Sequence, residues 1–212
     1  APPGGWALRG VRVDAPAAWF VPPRCAYTAQ APLRASIWSA PLLRFRRAGD
    51  GSFSHEQVGS LLLDFSADDR AQAQFEFTGI GTGNLALQHL IFAEGAAALD
   101  VRGTWAAEDF PFQGLSLIDQ GSTLAAVSYF YDQAGALRWA LGTGPARPAA
   151  SITMLRFSGS CPTCPYAAFS PRLAGVIELI FEGRDQAQIR AMLEADDGGL
   201  WSAPDSELKA FR

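Results

Sequence analysis

Lysine is almost missing from this chain of 212 residues: 17 residues are basic, and Lys209 alone among them is a lysine. A buried Schiff-base or general-base lysine therefore has almost no material to draw on. Histidine is nearly as scarce. His55 and His89 are the only two, which leaves a histidine-based metal centre or a Ser-His-Asp triad little to build on, and no metal is expected. Charged residues make up 18% of the chain and no run of Lys or Arg forms the basic stripe that neutralising phosphates requires. No nucleic acid partner is expected. Nor does any apolar stretch approach the roughly 20 residues of a membrane-spanning helix, so no membrane span is expected.

What the chain has in quantity is apolar and turn-forming residues. Hydrophobic residues are 49% of the sequence, with 21 Gly and 14 Pro, a composition of folded, turn-rich proteins and not of disordered ones. The length suits one large β domain or two small ones. The opening APPGGW lacks an initiator methionine, which raises the expectation of an export signal removed after a small residue.

The most informative comparison is internal. FSHEQVGSLLLDFSADDRAQ (residues 53–72) lies without a gap on FSPRLAGVIELIFEGRDQAQ (residues 169–188), 116 residues away. Phe53, Ser54, Gly59, Leu63, Phe65, Asp69, Ala71 and Gln72 recur as Phe169, Ser170, Gly175, Leu179, Phe181, Asp185, Ala187 and Gln188. Upstream, LRF at 43–45 matches LRF at 155–157, so the second copy carries a longer connection, SGSCPTCPYAA, before its FS. The joint between copies is expected at EGAAALD, residues 94–100, which divides the chain into a first β unit over 1–98 and a second over 99–212.

Each copy reads as strands. Val58, Leu61, Leu63 and Phe65 mostly alternate, with Gly59 marking a bulge or a close approach. In GSTLAAVSYFYD, Val127, Tyr129 and Tyr131 point one way and Ser128 and Phe130 the other. Leu137, Trp139 and Leu141 share a face after the break. That break, DQAG, is a hairpin turn in which Asp132 caps its own backbone and Gly135 supplies the positive φ. A calcium loop needs several oxygen donors, and DQAG offers a single carboxylate. One segment pulls both ways: RDQAQIRAMLEA (184–195) is made of good helix formers with Ile189, Met192 and Leu193 on one helical face, yet its counterpart in the first copy alternates. The duplication favours a strand.

These residues resemble an uncharacterised β-rich module of secreted and surface proteins of proteobacteria. Its pattern runs G-x-W, Gly-aromatic-Gly-x-x-L, W-F-x-Y-D-x-x-G-x-P-x-W and later V-G-x-x-x-L-x-F. GTWAAEDFPFQGLSLIDQGSTLAAVSYFYDQAGALRW (103–139) is similar to the first part; AGVIELIF (174–181) and VGSLLLDF (58–65) are similar to the second. The likeness covers most of residues 99–190 and, less well, 36–92. Residues 1–35 keep little of the module's opening, and the ending GGLWSAPDSELKAFR is atypical. The resemblance implies an extracellular β-rich repeat and brings no catalytic residues with it.

CPTC, Cys161 to Cys164, is the sharpest short motif. The spacing is that of C-P-x-C redox enzymes, whose first thiol is activated at a helix N-terminus, but Pro165, Tyr166 and the residues after them start no helix. A c-type haem site would need His where Pro165 stands, and a zinc site lacks a second pair. The preferred reading is a disulfide between Cys161 and Cys164 closing an exposed loop in an oxidising compartment, with Pro162, Thr163, Pro165 and Tyr166 as a candidate binding tip. Cys25 is then left over, buried or pairing with another chain.

Other candidates are weaker. His55 beside Glu56 offers a catalytic dyad only in outline, and His89 alternates with apolar neighbours in LALQHLIF. GIGTGN (79–84) lacks the helix and the Lys-Ser/Thr of a phosphate loop and sits at a hairpin. Trp6, Trp19, Trp38, Trp105, Trp139 and Trp201 suit either a sugar platform or a β core. The pairs Glu108 with Asp109 and Asp68 with Asp69 show no acid and base spacing of a glycosidase.

The sequence thus predicts an all-β protein of two related antiparallel units, small barrels or sandwiches, that is secreted, periplasmic or on the cell surface. It is expected to be a non-catalytic binding, adhesion or assembly component without a cofactor, with a protein or carbohydrate partner or self-association. The alternatives are a secreted hydrolase of a polysaccharide or other polymer and a thiol-disulfide oxidoreductase acting through Cys161 and Cys164.

Overall fold

The computed structural model describes residues 37–65, 70–88, 91–107, 113–158, 170–195 and 198–211. Cys161, Pro162, Thr163, Cys164, Pro165 and Tyr166 lie outside them, as do Cys25, Trp6, Trp19, His89, the Asp68–Asp69 pair and the Glu108–Asp109 pair. Every described regular element is a strand, and the strands fall into two units.

The first unit is a four-stranded antiparallel sheet in sequence order: β1 (Ile37–Arg47), β2 (Phe53–Asp64), β3 (Arg70–Phe77) and β4 (Gly81–Gln88). GIGTGN begins in the β3–β4 turn, where Ile80 N–H donates to Phe77 C=O at 3.0 Å. In β3 exposed and buried residues alternate strictly, and Ala71, Ala73, Phe75 and Phe77 form the buried face. Phe75 lies over Gly83, its partner on β4, where any Cβ would meet the ring at 2.4 Å.

The second unit is a closed eight-stranded barrel. Its strands are β5 (Gly103–Ala107), β6 (Gly114–Gln120), β7 (Thr123–Tyr131), β8 (Leu137–Pro145), β9 (Ala149–Ser158), β10 (Ser170–Phe181), β11 (Gln186–Glu194) and β12 (Leu200–Phe211). Each pairs with the next, and β12 returns to β5 with Leu208 opposite Ala107 and Ala210 opposite Trp105. Up-and-down closure leaves no sheet edge to aggregate through.

The interior is a packed core. Trp105, Leu115, Leu117, Leu124, Phe130, Ile152, Met154, Ile177, Leu179, Ile189, Leu193 and Leu208 are all essentially inaccessible to solvent. Each such side chain contributes about 1.5–3 kcal/mol by leaving water, and small partners such as Ala126, Ala140, Ala191 and Ala203 make room for the large ones. This drive settles the ambiguous segment 184–195. Ala187, Ile189, Ala191 and Leu193 are buried at every second position of β11, while Met192 is 61% exposed. Burying a whole alternate face outweighs helix propensities of a few tenths of a kcal/mol per residue.

The two copies share a backbone path through their first three strands, and part at the last pair, where β11–β12 shifts register between Ile189 and Ala191 and β3–β4 does not. In the first, Leu43 pairs with Gln57 and Leu42 with Gly59, so that Val58 bulges out of the ladder. In the second, Leu155 pairs with Leu173 and Met154 with Gly175, and Ala174 is the bulged residue. On the other edge Gly59 faces Phe77 and Gly175 faces Leu193. A Cβ on Gly59 would meet Glu76 C=O at 1.8 Å, and one on Gly175 would meet Met192 C=O at 1.9 Å. β1 to β4 are thus the counterparts of β9 to β12.

The segment read as the joint is hydrogen-bonded to the barrel. The buried Asp119 carboxylate accepts the Leu99 and Asp100 N–H groups at 2.7 Å and the Ala98 N–H at 3.3 Å. Gln120 Oε1 accepts Phe92 N–H at 2.9 Å. Val101 enters the core and its carbonyl takes the Trp105 indole N–H at 2.9 Å. Nothing in the sequence singled out Asp119.

Gly175→Ala is expected to destabilise the barrel by about 3 kcal/mol, because the new methyl meets backbone on a strand held from both sides. Gly183→Ala, with nothing within 4 Å of its Cβ, should stay within about 0.5 kcal/mol of the parent. Urea unfolding midpoints of the two variants check the difference.

Candidate functional site: the polar end of the barrel

In an up-and-down barrel alternate connections emerge at the same end. The β7–β8 turn, the flanks Ser158 and Ser170 of the cysteine-bearing connection, the β11–β12 connection and the start of β6 therefore share one end. Here the inward faces turn polar. Leu124, Ala126, Ser128 and Phe130 point into the barrel along β7, and Asp132 is the next residue with that parity. Arg138 faces inward because it pairs with Phe130. Arg156 follows Ile152 and Met154 on β9, and Gln113 precedes Leu115 and Leu117 on β6.

Asp132 and Gly135 lie in the β7–β8 turn. Asp132 N–H donates to Ala136 C=O at 3.0 Å, Gly135 N–H donates to Asp132 C=O at 3.0 Å, and Gly135 has φ 72°. One carboxylate oxygen of Asp132 accepts the Ala136 N–H at 2.8 Å; the other lies 2.5 Å from an Arg138 guanidinium nitrogen. The carboxylate is 1% exposed and the Arg138 side chain 18%, so the pair is shielded from water and orders the inward guanidinium. Across the mouth, Arg156 donates to Glu194 C=O at 2.8 Å, and Trp201 stacks on Phe130 with centroids 5.9 Å apart and 17° between planes. Buried Gln113 Oε1 and Ser128 Oγ complete the polar lining. Arg172, opposite Arg156 on β10, is exposed.

This end offers charge, hydrogen-bonding groups and a ring face. The guanidiniums offer planar, forked donors, the amide and hydroxyl offer hydrogen bonds, and the indole offers a face. No nucleophile is paired with a base among these groups. The sequence pattern contained the signal for Arg138, Arg156 and Gln113 as polar residues in inward register at strand ends, but reading it requires the strand pairings.

The other candidates are dispersed. His55 is exposed and faces the Phe45 ring at 5.6 Å, whereas Glu56, on the opposite face of β2, binds Arg44 at 2.5 Å. Trp105 is core, Trp201 lines the polar end, and half-buried Trp139 stacks on Phe157 at 5.6 Å. Among the described residues no three His, Cys, Asp or Glu gather as a metal site, and no helix is long and apolar enough to cross a membrane. A shallow cavity of about 460 Å³ at the β10–β11 turn is lined by Arg184, Asp185, Gln186 and Lys209; its Arg184 is engaged by Asp100 at 2.5 Å.

By fold, the chain holds an up-and-down barrel and a four-stranded sheet whose β1–β2–β3 register recurs in β9–β10–β11 of the barrel. No protein-family model, curated protein or solved structure matches it.

Two outcomes check the electrostatics. Asp132→Ala leaves Arg138 without this carboxylate and removes a turn acceptor, so a loss of about 3 kcal/mol is expected in denaturant titration. Burial raises the Tyr129 pKa above 10.0, against a smaller opposing hydrogen bond with Ser116. The folded state therefore holds the phenol proton longer than the unfolded state, and this contribution is complete below pH 10 and lost as pH rises through the folded value. Stability measured across that range should fall less steeply in Tyr129→Phe.

Proposed function

We propose that the chain is an exported binding or assembly protein without catalytic activity, acting outside the cytoplasm on a protein or carbohydrate. The observation that carries this reading is the contrast between the barrel's two regions. Its interior is filled with apolar side chains, which leaves recognition to the surface, and inward-facing arginine, amide and ring groups gather at the β7–β8 end, whereas the buried Asp119 carboxylate at the other end is taken up by backbone amides. The connection carrying CPTC springs from that end, between Ser158 and Ser170. A Cys161–Cys164 disulfide there would stiffen a contact loop rather than shuttle electrons.

The test has two arms. On a glycan array, and in native mass spectrometry of complexes recovered from the source organism, the parent should retain a defined partner. Arg172→Glu, a change on an exposed side chain, should weaken that retention by about tenfold with an unchanged circular dichroism spectrum. Cleavage of an arrayed glycan would favour the hydrolase instead. Thiol titration of the native protein should find an unreactive cystine; a readily reduced pair with a low-pKa thiol would establish the oxidoreductase.

A further inference from the structure

The outer face of β10, β11 and β12 carries five exposed large apolar side chains. Leu173 is 64% exposed, Val176 41%, Ile180 53%, Met192 61% and Leu200 59%. Val176 and Met192 are direct cross-strand partners. In the middle of this face lies a charged row in which Arg190 binds Asp205 at 2.8 Å and approaches Glu178 at 3.6 Å.

The first unit shows that the fold does not require these residues. By the shared register, Leu173, Val176, Ile180 and Met192 correspond to Gln57, Ser60, Asp64 and Glu76. Each of these four faces outward where the first copy has a polar residue on the same backbone; Leu200 differs, since its counterpart Ile80 is also apolar and 49% exposed. Inward positions show no such contrast: Leu63, Ala71 and Phe77 correspond to Leu179, Ala187 and Leu193, buried in both. The reversals on the outer face are Glu178, which has Leu62 as its counterpart and belongs to the charged row, and Glu207, which has Ala86. Packing explains the inward set. It leaves the outward set unexplained, and clustered exposed apolar side chains on a soluble surface mark a contact site.

We infer that this face of β10–β12 is the interface of a homodimer. The patch contains its own complement: both signs of charge lie in one row, with apolar residues on either side. A two-fold related copy therefore sets Arg190 against the partner copy's acidic row and lays Met192 and Val176 on their counterparts, the arrangement an isologous interface demands. A foreign partner would have to match both features by design, and a lipid surface would have no use for the acidic row. This inference is independent of the reading of the polar barrel end.

The experiment compares the full chain with a variant carrying the first unit's residues, Leu173→Gln, Val176→Ser and Met192→Glu, in sedimentation velocity from about 1 to about 100 µM. The wild type should sediment as a dimer and the triple variant as a monomer with an unchanged β-type circular dichroism spectrum. Arg190→Glu alone, on an exposed side chain, should raise the dimer Kd by at least about tenfold. A wild type that stays monomeric at the highest concentration overturns the inference, whether or not it binds lipid vesicles or another protein. So does a folded triple variant, or an Arg190→Glu variant, that dimerises as the wild type does.

Discussion

A single backbone constraint organises both units: the place where one strand carries an extra residue and the next residue is a glycine pressed against a neighbouring carbonyl. At Val58 and Gly59, and again at Ala174 and Gly175, the bulge adds a residue to one side of the ladder and fixes how the flanking strands pair. A slip of one residue would turn every side chain of a strand to the opposite face. With the bulge in place, Leu179, Ile177, Ile189 and Leu193 enter the core together and Val176 and Met192 are left outside. The core, the exposed apolar face and the correspondence between copies all follow from that register.

Closure of the second unit has a consequence for function. A barrel of eight strands holds about as much volume as its inward side chains fill, and here they are Leu, Ile, Phe, Trp and Met interleaved with Ala. The inward charged groups lie where the strands run out into their connections, and mid-strand polar groups are small hydroxyls such as Ser206. The Asp132–Arg138 pair does structural work in the turn and presents a fixed guanidinium at the mouth; Asp119 and Gln120 use their side chains to hold the segment before β5. The two ends are therefore unlike, one closed by backbone amides bound to a carboxylate and the other lined by arginines and stacked rings.

Much of this was legible in the sequence because duplication and alternation are local signals. The repeat across residues 53–72 and 169–188 gave β2, β10 and the hairpins that follow them, and the period of two separated Val127, Tyr129 and Tyr131 from Ser128 and Phe130 on β7, while which set enters the core came only with the strand pairings. Helix propensity in 184–195 misled only when taken alone, because it counts tenths of a kcal/mol per residue while the buried face of β11 counts several per strand. The pairing of β12 with β5 links residues about a hundred positions apart, and no local pattern announces it. For the same reason Arg138 and Arg156 are not set apart from other arginines by the sequence, and only the pairing of their strands turns them inward. Asp119 sits in an unremarkable LIDQ, and its role depends on a segment twenty residues upstream.

The shared register can be measured directly by cross-strand nuclear Overhauser contacts between backbone protons in the native chain. Contacts should link Gly59 with Phe77 and Leu61 with Phe75 in the first unit, and Gly175 with Leu193 and Ile177 with Ala191 in the second. A one-residue offset between the two sets, or the sequential contacts of a helix across residues 186–194, would contradict the common path and everything read from it.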